Sequence, residues 1–369
     1  MKIFVSGTRG VPNIPGGVES HCQQLYPLIV EAGHEVKISR RKPYIDKGLS
    51  EWSGIQLVDT YTPRKKSVEA IVHTFLSILE AKKWKADILH LHAIGPAIMV
   101  PFARILGLKV VFTNHGPDYD REKWGGMAKL ILRAGEKIGG IFSNEVIVIS
   151  EVIREIVQRR CGRSSNLIYN GVKVPEKAVN TDYVDSLGLA VDGYILAVAR
   201  FVPEKGLHDL IDAYNRSGLA CKLVIAGDSD HDDEYSRSLK IKAAENPDIT
   251  LTGYVTGDYL HQLYSHARMF VLPSYHEGLP ISLLEALSYG VIPLVSDIPA
   301  NKEVPINEKY FFHCKDIDSL STKLVQLWQE DHACVDYERL TNLVKSQYDW
   351  QKISEQTIKV YKRATVTKS

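Results

Sequence analysis

Residues 268–296 read RMFVLPSYHEGLPISLLEALSYGVIPLVS, two short apolar runs separated by a segment with helical spacing. The runs RMFVLP (268–273) and VIPLVS (291–296) are typical of buried strands, and the segment between them predicts a helix with Pro280 at or near its first turn. A strand, a helix and a second strand in this order build a parallel sheet covered by helices. The stretch therefore favours an α/β fold.

The same alternation continues through the rest of the chain, without repeats or low-complexity segments. Further strands are predicted at KIFVS (2–6), EVKIS (35–39), DILHLH (87–92), KVVFT (109–113), EVIVIS (145–150), YILAVA (194–199), KLVIAG (222–227) and DITLTG (248–253). Helical patterns follow many of these strands. The pattern predicts two doubly wound, Rossmann-like α/β domains, whose ligands bind at the carboxyl ends of the strands in the cleft between them.

The domain boundary is predicted from chain length and turn residues. A chain of 369 residues suits two domains of ordinary size. The hinge is expected near Asn170–Pro175, so that residues 1–172 form the N-terminal domain and residues 173–349 the C-terminal one. A last helix, from about Trp350 to Lys362, could pack on either domain, and we assign residues 350–369 to the first.

The composition excludes several classes of protein. Hydrophobic residues make up 44% and charged residues 24%, which is ordinary for a globular protein and excludes a disordered or fibrous one. No apolar run reaches the ~18 residues of a membrane helix, and the start MKIFVSGTRG has none of the regions of a signal peptide. The 5 cysteines form no Cys-x-x-Cys pair, which argues against a zinc ribbon or a disulfide framework. We therefore expect a cytoplasmic protein.

The net charge of +1 conceals two oppositely charged halves. Residues 1–175 carry 25 Lys and Arg against 16 Asp and Glu, a net charge of +9, whereas residues 176–369 carry 20 against 28, a net charge of −8. A basic half is typical of proteins that bind phosphates, nucleic acid or an anionic membrane surface. The modules and interleaved aromatic residues of RNA-binding proteins are missing, so we expect no nucleic-acid partner.

Three loops at predicted strand ends carry candidate binding residues. In GTRGVPNIPGG (7–17), Gly16 and Gly17 let the backbone approach a ligand ahead of a helix N-terminus, which favours anions. This loop matches neither the GxGxxG fingerprint nor a P-loop, so a plain turn is as consistent with it as a phosphate site. After YILAVA, Arg200 and Lys205 could neutralise a diphosphate, or they could be surface cations paired with acidic neighbours.

The third loop is the segment HEGLPISLLEALSYG (276–290). Glu277 precedes the predicted helix and Glu285 lies one to two turns inside it. The N–H groups around Gly278, Leu279 and Ile281 would point toward a diphosphate. A capped amphipathic helix with two solvated glutamates is equally consistent with this segment alone.

Two histidines of the strand DILHLH need an interpretation as well. His90 and His92 alternate along this strand. We expect one of them to face the core and the other the mouth of the cleft, each as a structural histidine with satisfied hydrogen bonds.

Together these elements resemble the family 4 retaining glycosyltransferases, which have the two-domain GT-B fold. The motifs occur in the family's order along essentially the whole chain: GTRG…GGVE (7–19), TNHG (113–116), NGV (170–172), ARFVPEKG (199–206), AGD (226–228), GYV (253–255), EGLPISLLEA (277–286) and YDW (348–350). The EGLPISLLEA segment with its two glutamates is highly specific. The GTRGVP…GG and HG…KW segments look most like bacterial rhamnosyl- and mannosyltransferases that build surface polysaccharides.

The resemblance implies roles for individual residues. It makes the first domain the acceptor-binding domain and the second the nucleotide-sugar donor-binding domain. It implies a catalytic group of Glu277, which touches the donor sugar, Lys205 and Arg200, which contact the diphosphate, and His115 on the acceptor side. Donor-binding residues are implied at Gly16, Gly17, Asn170, Tyr254, Gly278, Leu279, Ile281 and Glu285, the last for the ribose hydroxyls.

One departure from the family pattern lies on the acceptor side. Where relatives read His-Gly-x-Glu-Trp-Lys-Arg, this chain reads HGPDYDR (115–121), with Asp118 and Arg121 as acceptor-side candidates. The shorter carboxylate and the missing Trp put the acceptor or sugar preference in doubt.

The resemblance implies transfer of a sugar, with retention, from a nucleotide-diphosphate sugar to a saccharide acceptor in O-antigen, capsule or exopolysaccharide synthesis. Three Asp-x-Asp pairs, 118/120, 228/230 and 316/318, are expected by chance at this charge content, and we expect neither a metal ion nor another cofactor. UDP, GDP and dTDP all remain open as the donor nucleotide. A sugar-nucleotide 2-epimerase of the same fold and a non-catalytic nucleotide-sugar-binding subunit are the alternatives.

The basic N-terminal half suggests where the acceptor comes from. Clusters lie at Arg40–Lys42, Arg64–Lys66 and Lys82–Lys85, and the stretch from Arg121 to Lys137 interleaves basic with apolar residues. This mixture suits a helix on anionic headgroups, or an ordinary amphipathic surface helix. We expect peripheral binding to the inner face of the plasma membrane and a lipid-linked acceptor.

Overall fold

The computed structural model describes residues 1–14, 16–45, 48–63, 69–117, 119, 125–229, 233–330 and 337–366. The chain divides into two compact units. The N-terminal unit comprises Met1–Gly171 with Tyr348–Ser369, and the C-terminal unit comprises Val172–Gln347. Each unit has its own sheet with helices, so the predicted fold class of two Rossmann-like α/β domains is confirmed.

The N-terminal unit is built on an eight-stranded sheet with the order β3-β4-β2-β1-β5-β6-β7-β8. All its pairs are parallel except the short hairpin of β3 and β4. Its elements are β1 (Lys2–Ser6), α1 (Gly17–Glu31), β2 (Glu35–Arg41), β3 (Glu51–Trp52), β4 (Ile55–Thr60), α2 (Glu69–Lys83), β5 (Ile88–His92), α3 (Val100–Ile105), β6 (Val110–Asn114), α4 (Gly126–Phe142), β7 (Glu145–Val148), α5 (Glu151–Cys161), β8 (Asn166–Leu167) and, from the end of the chain, α14 (Trp350–Val366).

The C-terminal unit has a six-stranded sheet with the order β11-β10-β9-β12-β13-β14, in which every pair is parallel. Its elements are α6 (Asp182–Ser186), β9 (Tyr194–Val198), α7 (Leu207–Ser217), β10 (Lys222–Ala226), α8 (Glu234–Ala244), β11 (Ile249–Gly253), α9 (Gly257–His266), β12 (Met269–Leu272), α10 (Ile281–Ser288), β13 (Ile292–Ser296), α11 (Pro299–Lys302), β14 (Phe311–Phe312), α12 (Ile317–Gln329) and α13 (Tyr337–Gln347).

The central strands are apolar along their whole length because both faces of each sheet are covered. Every residue of β5, β6, β12 and β13 is buried, as expected for parallel strands between helix layers. In the N-terminal unit one core cluster joins β1, α1 and α14, with Ile29 of α1 and Ile353 of α14 both fully or nearly fully buried. The last helix therefore packs within the N-terminal unit.

Parallel strands send all their carboxyl ends to one edge of a sheet, and this fixes where each loop lies. In the N-terminal unit that edge carries His92 at the end of β5 and Asn114 at the end of β6. In the C-terminal unit the paired strands β9 and β12 end at Val198 and Leu272. The loops with the predicted site residues begin at these points.

Candidate active site

An ion pair links two predicted residues in the C-terminal unit. Lys205 lies on the turn after β9 and Glu277 on the loop after β12, and Lys205 Nζ is 2.5 Å from Glu277 Oε1. The two side chains are 19% and 10% exposed. The neighbouring loop is held to the turn because Tyr275 N donates to Glu204 O at 2.8 Å. The pair is accessible enough for a ligand and shielded enough for its charges to act strongly.

Arg200 lies half-buried two residues after the end of β9. The next residue, Phe201, donates its N–H to Asp228 O at 3.0 Å, which ties this loop to the turn after β10. Gly227 in that turn has φ 141°, and a Cβ there would lie 1.9 Å from Ala199 O. A glycine is therefore required for the AGD turn to pack against the Arg200 loop.

The start of α10 presents unused backbone donors. Pro280 caps this helix, and its carbonyl accepts from Leu283 N and Leu284 N, each at 3.1 Å. Within the described part of the chain, the residues before and at the first turn donate to no protein acceptor; they are Gly278, Leu279, Ile281 and Ser282. Such orphan N–H groups at a helix N-terminus suit an anion.

Glu285 lies in the second turn of α10 and accepts a hydrogen bond from Tyr264 Oη at 3.1 Å. Burial raises the pKa of Glu285 to about 7, an effect that the Tyr264 hydroxyl partly offsets. Tyr264 is itself stacked on Tyr289, with ring centroids 5.2 Å apart. The carboxyl group of Glu285 is therefore held in a fixed place and is close to half-protonated at neutral pH.

Tyr254 follows β11 directly and its side chain is 60% exposed. The preceding Gly253 has φ 71°, and its carbonyl accepts from Gly227 N at 2.9 Å. This strand end therefore offers an exposed aromatic ring beside the AGD turn.

One cluster beside this site was not predicted. Tyr275 Oη donates to Asp209 Oδ2 at 2.5 Å and lies 3.1 Å from His208 Nε2, while His208 Nδ1 lies 3.0 Å from Tyr235 Oη. Asp209 is one of the acidic neighbours in the sequence that could have paired with Arg200 or Lys205. The structure pairs Lys205 with Glu277 and Asp209 with Tyr275, because the β12 loop packs against the first turn of α7. No local sequence motif predicts this cluster.

In the N-terminal unit, the carboxylate of Glu19 folds back over the loop that contains Gly16 and Gly17. Gly16 has φ 145° and caps α1, and Gly17 is the first residue of that helix. Glu19 accepts from Arg9 N at 2.9 Å, and its Oε2 would lie 2.1 Å from a Cβ at Gly16. Gly16 is therefore needed for the Glu19 side chain to fold back over the loop.

Four histidines gather at the same edge of this sheet, and we call them the imidazole cluster: His21, His90, His92 and His115. Ring centroids lie 4.2 Å apart for His90 and His92, 5.2 Å for His92 and His115, and 5.2 Å for His21 and His115. His90 and His92 are both fully buried. Our expectation that one of them faces the cleft was wrong, because residues two apart on a strand point to the same face.

Two tyrosines connect the rings of this cluster. Tyr26 Oη lies 2.8 Å from His90 Nδ1 and 2.6 Å from His92 Nε2, and Tyr361 Oη of α14 lies 2.7 Å from His90 Nδ1. His92 Nδ1 in turn lies 2.9 Å from Nε2 of the half-buried His115. The contacts form one continuous path from α14 to the predicted acceptor-side histidine.

Burial keeps the imidazole cluster neutral. It lowers the pKa of His21 to about 4 and that of His90 to about 3. It also lowers the pKa values of His92 and His115 well below the usual range, and the neighbouring imidazoles add to the effect. All four rings are therefore uncharged at neutral pH.

Asn170 belongs to the N-terminal unit, where it is 2% exposed and interacts with His21. Its Oδ1 has no hydrogen-bond partner in the part of the chain that the structure describes. The sequence could not place this side chain beside a histidine 149 positions earlier.

The backbone around His115 is fixed by a buried carboxylate that was also not predicted. Glu136 of α4 accepts from Asn114 Nδ2 at 3.2 Å and from Tyr119 Oη, and it pairs with Arg160 at 3.0 Å. Asn114 Oδ1 accepts from Gly116 N at 2.9 Å. The predicted acceptor-side residues themselves, Asp118 and Arg121, lie outside the described residues.

The Asp-x-Asp pairs that the structure describes are engaged in ordinary contacts. Asp316 caps α12 by accepting from Ser319 N at 2.9 Å, Asp318 pairs with Arg216 at 2.6 Å, and Asp228 pairs with Lys240 at 2.9 Å. The remaining pair, 118/120, and Asp230 are outside the described residues. In the described ranges, no group of three or more His, Cys, Asp or Glu side chains is arranged to hold a metal ion.

Two family models match the chain in succession. "Glycosyltransferase Family 4" covers residues 15–175 and "Glycosyl transferases group 1" covers residues 186–360. An uncharacterized glycosyltransferase of Methanocaldococcus jannaschii is 27% identical, over 99% of this chain and 98% of its own. The O-antigen chain mannosyltransferase B of Escherichia coli is 29% identical, over 47% of each chain.

Solved structures show the same architecture. HepE of Anabaena, in complex with UDP and glucose, aligns over 97% of this chain and 98% of its own with a TM-score of 0.81 and 16% identity. Two Rossmann-like units with anion-binding loops at their strand ends define the GT-B class of transferases. With both family models matched in order, this chain belongs to the family 4 glycosyltransferases of that class.

Among the described residues, none of the helices combines the length and the apolar character needed to cross a bilayer.

Proposed function

We propose that this chain moves a sugar, with retention of configuration, from a nucleotide-diphosphate sugar to a saccharide acceptor in bacterial surface polysaccharide synthesis. The observation that carries the proposal is the Lys205–Glu277 pair. It belongs to the same unit as the unused N–H groups of α10 and the carboxyl group of Glu285. Cation, carboxylate and N–H donors together suit a diphosphate joined to a sugar and a ribose.

The charges of this group match those that develop in the reaction. Breaking the anomeric C–O bond leaves negative charge on the diphosphate and positive charge on the sugar. Lys205, Arg200 and the N–H groups of α10 stabilise the first, and Glu277 supports the second. Glu285 accepts from the ribose hydroxyls.

Retention follows if the acceptor attacks the face that the phosphate leaves. The departing phosphate then takes the proton of the acceptor hydroxyl, and no protein nucleophile is required. His115 lies on the acceptor side of this reaction. Protein cations neutralise the leaving group, so the proposal includes no metal ion and no further cofactor.

HepE of Anabaena, which shares the fold, was solved with UDP and glucose, and this makes a UDP-sugar the first donor to test. A screen of UDP-, GDP- and dTDP-sugars should show one that raises the melting temperature, since a ligand that binds only the folded protein stabilises it. The same donor should be hydrolysed slowly without an acceptor. If none of the donors shifts the melting temperature or is consumed, the proposed function is wrong.

The acceptor is proposed to be lipid-linked, as suits the O-antigen role of the partial relative. The basic surface that could meet a membrane is smaller than we expected. Arg40 is buried in an ion pair with Asp59, and the half-buried Arg41 pairs with Glu69, so both cations are neutralised within the unit. The cluster Arg64–Lys66 is outside the described residues.

The Lys82–Lys85 cluster is also less free than expected. The ring of Trp84 is half-buried against Phe4, with Lys2 and Lys37 over it. Trp84 is therefore part of a packed group and does not project toward a bilayer.

Helix α4 does present the exposed apolar and basic side chains that binding to an anionic membrane needs. It exposes Met127, Leu130 and Ile131 together with Arg133 and Lys137. The apolar side chains would enter the headgroup region while the cations meet anionic lipid.

Vesicle sedimentation tests this docking. The protein should bind phosphatidylglycerol-rich vesicles at low salt and leave them at high salt, because the attraction is screened. Leu130→Glu should reduce binding, and Ile241→Glu, at an exposed site of the C-terminal unit, is the control. Equal binding to neutral vesicles would contradict the electrostatic part of the proposal.

Two alternative functions are separated by product analysis. With a nucleotide sugar and a lipid-linked saccharide, a transferase forms a longer saccharide. A 2-epimerase changes the nucleotide sugar itself without an acceptor. A non-catalytic subunit binds the nucleotide sugar and leaves it intact.

A further inference from the structure

The hydrogen-bond path through the imidazole cluster determines which nitrogen of His115 carries its proton. A neutral imidazole has one N–H donor and one lone-pair acceptor. Each contact along the path therefore restricts the next one. The restriction begins at His90, whose two ring nitrogens both have partners within 2.8 Å.

His90 Nδ1 faces two hydroxyl oxygens at once, Tyr26 Oη at 2.8 Å and Tyr361 Oη at 2.7 Å. A bare ring nitrogen has one lone pair and accepts well from only one hydroxyl. As an N–H group, it is shared between both oxygens. His90 Nε2 then accepts from the hydroxyl of Thr113, 2.7 Å away.

The remaining protons follow from this assignment. Tyr26 Oη accepts from His90 and is left to donate to His92 Nε2 at 2.6 Å. His92 then carries its proton on Nδ1 and donates to His115 Nε2 at 2.9 Å. This arrangement turns every one of these contacts into a hydrogen bond, whereas the reverse direction leaves one oxygen against the bare lone pair of His90.

We propose that His115 is held as the Nδ1–H tautomer and donates from Nδ1 to a saccharide hydroxyl oxygen, with Tyr26 and His92 as positioning residues. The donor role rests on the proposed function, whereas the tautomer does not. In the described residues the His115 ring has no hydrogen-bond partner besides His92, so Nδ1 is available to a ligand. An imidazole held in this way is a donor and does not act as the base for the acceptor hydroxyl.

The surroundings of His115 support a fixed neutral ring. Among the described residues, the groups in contact with the cluster include Tyr26 from α1, Thr113 from β6, Asn170, and Trp350 and Tyr361 from α14; none of these is a carboxylate. The lowered pKa values of all four histidines mean that no imidazolium competes for the path at neutral pH. The direction of donation is therefore set by the hydroxyls alone.

The chain offers a matched pair of variants to test this. Tyr26→Phe removes the hydroxyl that links His90 to His92, and Tyr194→Phe removes an equally buried hydroxyl of the C-terminal unit, which donates to Leu263 O at 2.6 Å. Both variants should lose similar stability in urea denaturation. Only Tyr26→Phe should change the state of His115.

The tautomer is read directly by ¹⁵N NMR of the full chain with labelled histidine, with His115→Gln used to assign the signals. The wild type and Tyr194→Phe should show His115 protonated at Nδ1, and Tyr26→Phe should show a mixture of tautomers. Protonation of His115 at Nε2 in the wild type would overturn the proposal, whether or not the protein is active.

The activity measurement decides the donor role. Transfer should fall about tenfold or more in kcat in Tyr26→Phe and less than twofold in Tyr194→Phe, since a misaligned group is costly in rate. If donor hydrolysis without acceptor falls in parallel, the bonded oxygen belongs to the donor sugar; if only transfer falls, it belongs to the acceptor. Equal losses in the two variants would indicate a structural role only and would refute the donor role.

Discussion

The two units differ in the charge of the side chains at the carboxyl ends of their parallel strands. The N-terminal unit gathers four imidazoles near its strand ends, where burial keeps them neutral and tyrosine hydroxyls supply hydrogen-bond partners. The C-terminal unit keeps charges at its strand ends, in the Lys205–Glu277 pair. Parallel strand ends thus provide a position, and the chemistry of that position is set by which side chains the loops bring there.

The difference also gives the two regions opposite responses to pH. Burial lowers the pKa of His90 to about 3, so the native state resists protonation and stability is lost as pH falls below the unfolded value of about 6.5. Burial raises the pKa of Glu285 to about 7, so its contribution to stability is lost as pH rises between about 4.5 and 7. Lowering the pH therefore destabilises the N-terminal unit through His90 and stabilises the C-terminal unit through Glu285.

The largest expected effect is on acid stability. Between pH 7 and pH 5, His21 and His90 should each reduce the free energy of unfolding by ~2 kcal/mol, because both remain neutral in the folded state. Urea denaturation at several pH values measures how steeply the free energy of unfolding depends on pH. His90→Gln should make the dependence of the free energy of unfolding on pH shallower by about one proton. An unchanged slope in His90→Gln would contradict the buried, neutral state.

The second largest expected effect is on turnover and concerns the charged site of the C-terminal unit. Lys205→Ala should lower turnover by ~100-fold or more, since it removes a cation from the developing diphosphate charge. The control is Lys222→Ala, which breaks an exposed ion pair with Asp248 in the same unit. Steady-state kinetics with melting temperatures separates the two. Near-normal turnover in a folded Lys205→Ala variant would remove this residue from the site.

Glu285→Ala tests the ribose role. Loss of a hydrogen bond to a charged acceptor should weaken nucleoside diphosphate binding by ~1–3 kcal/mol, with less effect on turnover at saturating donor. Calorimetric titration gives the affinity. The control Glu245→Ala changes an exposed glutamate after α8. Unchanged nucleotide affinity in Glu285→Ala would exclude the role.

The pKa of Glu285 predicts a pH dependence of the same binding step. Only the carboxylate form accepts both ribose hydroxyls, so nucleotide affinity should rise about tenfold from pH 6 to pH 8 and binding at pH 7 should release part of a proton. Titrations in two buffers of different ionisation enthalpy measure the release. Glu285→Gln supplies the baseline, because the phosphate groups also titrate; equal slopes in both proteins would contradict the assignment.

The smallest expected effect concerns metal ions. If protein cations neutralise the leaving group, incubation with EDTA should change turnover less than twofold. Assays in EDTA, with Mn²⁺ or Mg²⁺ added back in excess, measure this. Complete loss of activity that either ion restores would show that charge at the C-terminal site is supplied by a metal.

The sequence by itself determined the parallel α/β architecture and the outline of the charged site. Strands covered on both faces are apolar throughout, so they are visible as short runs. Lys205 and Glu277 each follow such a strand, and the pairing of β9 with β12 brings their loops together. The loops of such a site are predictable because each follows its strand directly and a motif such as EGLPISLLEA is local in the chain, whereas the pairing of β9 with β12 joins distant segments.

Only the tertiary structure decided which side chains form the imidazole cluster and which basic residues are buried in ion pairs. His90 meets Tyr361 across 271 positions, and no local pattern predicts a contact between β5 and α14. Arg40, taken from the sequence as a surface cation, is 2% exposed because Asp59 of the neighbouring strand pairs with it. Charge and hydrogen-bond partners depend on which strands and helices become neighbours, and that choice is made by the packing of the whole unit.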